Sequence, residues 1–181
     1  MKYMKSFLFA AIAAIILAGS LAGGIAEDMN TLGVSLGFDQ FPEEYTCDGR
    51  NVSPQIEISG LNATSNLTAL AMILEDPDAP IGTFNHWVIW NIPPANVIPS
   101  DIPKEMNVTE PVKAVQGANG AGTIGYIGPC PPAGKPHRYF LQVYGLDKML
   151  DLEPGSNVSD LRDAMNGSIV LQGEAMATYG R

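Results

Sequence analysis

Residues 67–92 read LTALAMILEDPDAPIGTFNHWVIWNI. Two apolar runs, 67–74 and 86–92, flank a turn built from Asp76, Pro77, Asp78, Ala79 and Pro80. The first run is too uniformly apolar to assign by periodicity alone, but its length suits a strand. Outward from this pair, short apolar stretches recur at 32–38, 55–58, 112–115, 139–144 and 168–176. Residues 55–59 and 112–116 alternate apolar with polar, as a half-buried strand does. With 14 Pro and 19 Gly between such stretches, the pattern predicts an all-β chain, an antiparallel sandwich of sheets. One helix is predicted over 158–165, where Asn157 or Ser156 can cap the start, Val158, Leu161 and Met165 share a face, and Gly167 follows the end. The proline-rich segment 93–111 reads as a surface excursion between strands.

The chain has 181 residues, 46% of them apolar, enough for one substantial core and short for two. Asp and Glu outnumber Lys and Arg 19 to 10, a balance that repels polyanions and argues against nucleic acid as a partner. Lys2 and Lys5 precede an unbroken apolar run over 7–18, and small residues continue to Ala26. That is the pattern of a secretory signal peptide over residues 1–26, cut after Gly24-Ile25-Ala26, with one domain over 27–181. Loss of the two lysines takes the formal charge from −9 to −11. The alternative is an uncleaved anchor, since the run extended to Ile25 approaches the roughly 20 residues of a membrane span. Either way the domain is expected outside the cytoplasm: secreted, periplasmic or on the cell surface.

Six of the eleven asparagines stand in Asn-x-Ser/Thr sequons: Asn51, Asn62, Asn66, Asn107, Asn157 and Asn166. Chance would give about one. The excess favours an exported glycoprotein, with Asn51 the least favoured because Pro54 crowds its acceptor; the plain alternative is that polar turns collect these residue types.

Three runs carry candidate chemistry: Asp76 to Pro80, then Asn85-His86-Trp87, then Gly128-Pro129-Cys130-Pro131-Pro132-Ala133-Gly134 leading to His137-Arg138-Tyr139. They hold both histidines of the chain, and each lies beside a predicted strand, where a sheet presents loop side chains to a ligand. Together with Cys47-Asp48-Gly49 and Ser53-Pro54, this set resembles the phosphatidylethanolamine-binding family, in particular its prokaryotic Raf-kinase-inhibitor-like branch, over about residues 32–179. The resemblance implies an antiparallel β-sandwich with one or two short peripheral helices and a shallow pocket for phosphate, phosphorylethanolamine or similar head groups. By the same resemblance Asp76, Asp78, His86, His137 and Tyr139 line it, beside Gly128 and Pro129 of the glycine-proline loop.

Imidazole N–H groups, a tyrosine hydroxyl and loop amides can all donate to phosphate oxygens. The aspartates would fix the imidazoles and raise their pKa, or receive an ammonium. Histidines acting as imidazolium would lose affinity for the anion as pH rises. Each residue also has an ordinary reading: His86 packed beside Trp87, Asp76 and Asp78 making Asx turns, Tyr139 a core aromatic, with Arg138 on the opposite face of its strand.

No compact metal motif, nucleophile elbow or phosphate-loop lysine motif occurs, and Gly120 to Gly125 matches a dinucleotide fingerprint without the strand and helix it requires. The expectation is a non-catalytic binding protein without cofactor or metal, whose partner is a small phosphate-bearing or zwitterionic ligand. The alternatives are an inhibitor of an extracytoplasmic protease and, behind it, a metal-dependent phosphoester hydrolase. Cys47 and Cys130, the only cysteines, are expected to pair in an exported protein; as both fall in family motifs, two separate buried thiols are the alternative.

Overall fold

The computed structural model describes residues 30–181; the predicted leader lies outside them. Nine strands form two antiparallel sheets: β1 (Gly33–Ser35), β2 (Ile56–Ser59), β3 (Ala69–Asp76), β4 (Phe84–Ile92), β5 (Val97–Ile98), β6 (Asn107–Val108), β7 (Ala114–Gln116), β8 (His137–Leu146) and β9 (Ile169–Tyr179). The small sheet runs β1-β2-β5 and the large one β6-β7-β4-β3-β8-β9. Segments 30–32 and 39–41, on either side of β1, bond the outer edge of β9 through Gln172 and Thr178. Those two contacts tie the small sheet across the large one.

The apolar run 67–74 lacks a two-residue period because its strand is covered on both faces. Leu70, Met72 and Leu74 of β3, with Trp87 and Ile89 of β4, enter the main core with Ile56, Ile58 and Ile98 of the small sheet. Ala71, Ile73, Val88 and Trp90 point the other way, into a second cluster with Leu161 and Met165 of the helix. A strand buried on both faces gains from apolar side chains at every position.

That helix, α1 (Val158–Met165), covers the second face, and Leu161 and Met165 are its buried residues. Asn157 accepts from the amides of Ser159 and Asp160, and the Asp160 carboxylate accepts from the Asn157 amide, a complete capping box. Gly167, at φ +76°, follows its end.

Two expectations are revised. Segment 93–111 is not wholly irregular, since it contributes β5 and β6; two-residue strands leave no pattern to read. Residues 112–116 do not form a half-buried alternating strand: β7 begins at Ala114, and Gln116 is fully buried. Its side chain accepts from Trp87 Nε1 at 2.7 Å and donates to the carbonyls of Pro103 and Glu105 at 2.6 and 2.8 Å, which pins the excursion to the core. The glycine loop after it is organised by Asn119, which accepts from the amides of Ala121 and Thr123 and donates to the Gly125 carbonyl. The one cis peptide bond among the described residues precedes Pro111 and none of the rim prolines.

Candidate functional site

One end of the large sheet gathers the motif residues. It comprises the last residue of β3, the first residues of β4 and β8, and the end of β9. Asp76 stands opposite Phe84, and His137 opposite Tyr179. His86 arrives there through an irregularity. Leu74 pairs with Trp87 but Glu75 pairs with Asn85, so His86 is the extra residue of a β-bulge. Strict alternation would place it on the α1 face with Val88; the bulge turns it to the pocket face with Asp76 and His137.

Both imidazoles are held by one nitrogen. His86 Nδ1 donates to the Ile127 carbonyl at 2.7 Å, and His137 Nδ1 donates to Asp76 Oδ2 at 2.7 Å. The other carboxylate oxygen of Asp76 accepts from the Asp78 amide at 2.8 Å, so Asp76 makes an Asx turn and orients His137 at once. The ordinary and the functional reading of Asp76 are thus one arrangement. In the Asp76–His137 pair the side chains are only 5% and 11% exposed. Neither Nε2 has a hydrogen bond among the described residues, and neither is sealed from solvent. Burial pushes the His86 imidazole below its usual pKa, against the opposing pull of the Ile127 carbonyl, the Asp76 carboxylate and the Gly128 carbonyl. This overturns the expectation of a raised pKa for His86: desolvation outweighs the nearby carboxylate.

The two histidines and Asp76 line a cavity of about 200 Å³, whose walls are otherwise mostly apolar: Phe84, Ile127, Pro131 and Pro132, with Ala79 and Pro80 on the opposite lip. The rim loop is fastened at several points. The Gly128 amide donates to Asn51 Oδ1 at 2.7 Å, and the Cys47 amide to the Pro129 carbonyl at 3.1 Å. A disulfide joins Cys47 to Cys130, with Cα atoms 5.4 Å apart. From the chain end, the Arg181 carbonyl accepts from Gly134, and Tyr179 Oη donates to Asp48. Gly128 has no room for a side chain, since a Cβ would lie 2.4 Å from the Tyr45 carbonyl oxygen. A rim fixed this firmly loses little entropy on binding.

Of the seven pocket residues expected, Asp76, His86, Gly128 and His137 line the cavity; three do not. Asp78 faces outward and holds Arg138 through a two-pronged ion pair at 2.7 and 2.8 Å, with the guanidinium pulling the carboxyl well below its ordinary pKa. Arg138 is thereby on the opposite side of β8 from the pocket. Pro129 is buried and contributes its carbonyl to the Cys47 amide. Tyr139 is fully buried, packed edge-on against His86 and Phe41, and its hydroxyl has no partner among the described residues. Burial raises its pKa, so it remains a phenol. The Gly128 amide, expected to donate to the ligand, is already committed to Asn51.

Phe84, Ile127, Cys130 and Asn51 are site residues that the motif reading did not assign to the pocket. Phe84 had a signal, since it shares a strand face with Asp76 once the hairpin is drawn. Asn51 and Ile127 act through partners distant in sequence, and no local pattern marks them. Among the described residues no group of three or more His, Cys, Asp or Glu side chains is arranged to hold a metal ion.

The sequence model of the phosphatidylethanolamine-binding protein family matches residues 35–180. A UPF0098 protein of Pyrococcus horikoshii is 42% identical over 182 residues, covering 98% of this chain and 91% of its own. Another, from Pyrococcus abyssi, is 43% identical over 183 residues, covering 100% and 99%. Among solved structures, a putative phosphatidylethanolamine-binding protein homologue from Chlamydia trachomatis matches with a TM-score of 0.74 and 33% identity, covering 84% of this chain and 99% of that one. Escherichia coli YbcL, described as a new member of the mammalian family, matches at 0.73 and 28%, covering 83% and 98%. Fold and sequence agree over most of the chain, which belongs to the phosphatidylethanolamine-binding protein family.

Proposed function

We propose that this chain is an exported, non-catalytic binding protein whose pocket takes the phosphate-bearing or zwitterionic head group of a small ligand. One observation carries this reading: two imidazoles and the Asp76 carboxylate share a small, rigid, otherwise mostly apolar cavity, each imidazole tethered through Nδ1 and leaving Nε2 as its remaining polar atom. Sites for small molecules have this composition, apolar walls with a few fixed polar groups. The names of the relatives point the same way. Export rests on the leader pattern of residues 1–26 and places the domain in the periplasm, on the cell surface or in the medium.

Native mass spectrometry of the protein from its own host tests both parts. The expected species begins at Glu27 and gains the mass of phosphorylethanolamine when that compound is added at millimolar concentration. A chain that starts at Met1 in the membrane fraction contradicts cleavage. A chain that takes up no adduct contradicts the head-group site.

A further inference from the structure

The disulfide joins two residues of unequal exposure: Cys130 is exposed and lines the cavity, whereas Cys47 is half-buried. Cys130 opens the stretch 130–136, which carries Pro131 and Pro132 of the cavity wall and leads to His137 at the start of β8. Only Pro131 of this stretch is buried. Its prolines, at 131, 132 and 136, have no amide to give, and among the described residues its one backbone hydrogen bond runs from Gly134 to the Arg181 carbonyl. Pro136 packs against Gly180. The bridge is the restraint at the Cys130 end. Gly128 and Pro129, just before it, are held by Asn51 and the Cys47 amide whatever the state of the bridge.

Arg181 bears on the bridge as well. Its Nη1 lies 3.7 Å from Cys130 Sγ, and Asp48 steadies the guanidinium through Nε at 3.2 Å. A guanidinium beside a sulfur draws in an attacking thiolate and stabilises one that leaves. Exposure opens a bridge to exchange, where burial protects it.

We propose that the Cys47–Cys130 disulfide is a reducible latch on the cavity wall, opened by a dithiol reductant with the help of Arg181. A thiolate of the reductant attacks Cys130 Sγ, the bond between the two sulfurs breaks, and Cys47 leaves and takes up a proton. The second thiol of the reductant, losing its proton, attacks its partner sulfur in the mixed disulfide and releases Cys130 as a thiolate beside Arg181. Two electrons have passed from the dithiol, now a disulfide, to the protein; of its two protons one ends on Cys47 and one in solvent. The freed stretch no longer holds Pro131 and Pro132 in place, and a wall that must be ordered anew costs affinity, on the reading of this cavity as the ligand site.

Treatment of the oxidised chain with dithiothreitol, followed by thiol alkylation and mass spectrometry, tests the latch. The bridge should open without denaturant while circular dichroism stays native; a bridge that opens only as the chain unfolds overturns the proposal. Arg181→Gln keeps the carbonyl that Gly134 uses and removes the guanidinium, so reduction should slow about threefold, as a leaving thiol about one pK unit higher would. An unchanged rate overturns the part given to Arg181. By NMR relaxation, the backbone order parameters of Cys130, Ala133, Gly134 and Lys135 should fall from about 0.85 to below about 0.6 on reduction, while that of Gly128 holds. Calorimetry should find phosphorylethanolamine bound about tenfold more weakly by the reduced chain. Unchanged order parameters, or equal affinity in the two states, overturn the latch. No binding in either state overturns the head-group reading alone, and the order parameters then decide the latch.

Discussion

Replacing Tyr139 by Phe should stabilise the protein. The ring is fully buried and packs edge-on against Phe41 and His86, with centroids 5.5 and 5.2 Å away. Phenylalanine keeps those contacts and removes only the hydroxyl, which has no hydrogen-bond partner among the described residues. Burying an unsatisfied polar group costs about 1–3 kcal/mol. Taking the lower end, Tyr139→Phe should gain about 1 kcal/mol, or about 2–4 °C in Tm for a domain of this size. Thermal unfolding followed by circular dichroism, with a urea titration at 25 °C, measures the gain. Phosphorylethanolamine affinity should stay within about twofold, because the hydroxyl is sealed from the cavity. A loss of about 1 kcal/mol or more, or a tenfold fall in affinity, would show that the hydroxyl has a partner in water or ligand and would refute its placement as an idle core group.

Other outcomes follow from the same geometry. His86 is held below its ordinary pKa, so the unfolded chain binds the proton more tightly. Stability from this group is complete above the unfolded value of about 6.5 and is lost as pH falls from there toward the lower folded value; His86→Gln should flatten that part of the stability profile, as urea titrations between pH 7 and 5 would show. The Cys47–Cys130 disulfide closes a loop of sequence separation 83, worth up to about 4.5 kcal/mol in the chain-entropy treatment; the double Ser variant should lose about 2–4 kcal/mol, and a loss under 1 would contradict a formed bridge. Gln116→Ala strands the indole N–H of Trp87 and two carbonyls in the core, which should cost about 2–4 kcal/mol by chemical denaturation. Glycans, if the host attaches them, should occupy Asn62, Asn66, Asn107, Asn157 or Asn166, all exposed, and spare half-buried Asn51, whose side chain holds Gly128. Asn62, Asn66 and Asn166 lie before β3 and β9, at the end of the large sheet away from the pocket, so enzymatic deglycosylation should leave ligand affinity unchanged. Glycopeptide mapping that finds all five bare in a glycosylating host would contradict the assignment.

The sandwich was legible because turn residues punctuate the chain at strand-length intervals, and α1 because Asn157, its apolar face and Gly167 all agree. That Asp76 and His137 share one site, across 61 residues, was implied by motif resemblance and not by local pattern; which imidazole the carboxylate holds shows only in the structure. What could not be read has a common cause. The β4 bulge that aims His86 inward depends on the register with β3, and the loss of the Gly128 amide depends on Asn51, 77 residues away. Whether a hydroxyl such as that of Tyr139 reaches a pocket or stops in the core is likewise decided by packing. Gln116 shows the same limit from the other side: a polar residue in an alternating stretch implies solvent, until a buried indole supplies its partner.

The central claim, that His86 and His137 form one binding site, is tested most directly by calorimetric titration of phosphorylethanolamine into the wild type, His86→Ala, His137→Ala and Asp76→Asn, each checked for folding. Each histidine variant should lose about tenfold to a hundredfold in affinity, the equivalent of one strong hydrogen bond of about 1.5–3 kcal/mol. Asp76→Asn should weaken binding as well, by releasing the His137 ring from the carboxylate 2.7 Å from its Nδ1. Unchanged affinity in all three folded variants would contradict the claim and place the ligand elsewhere on the protein.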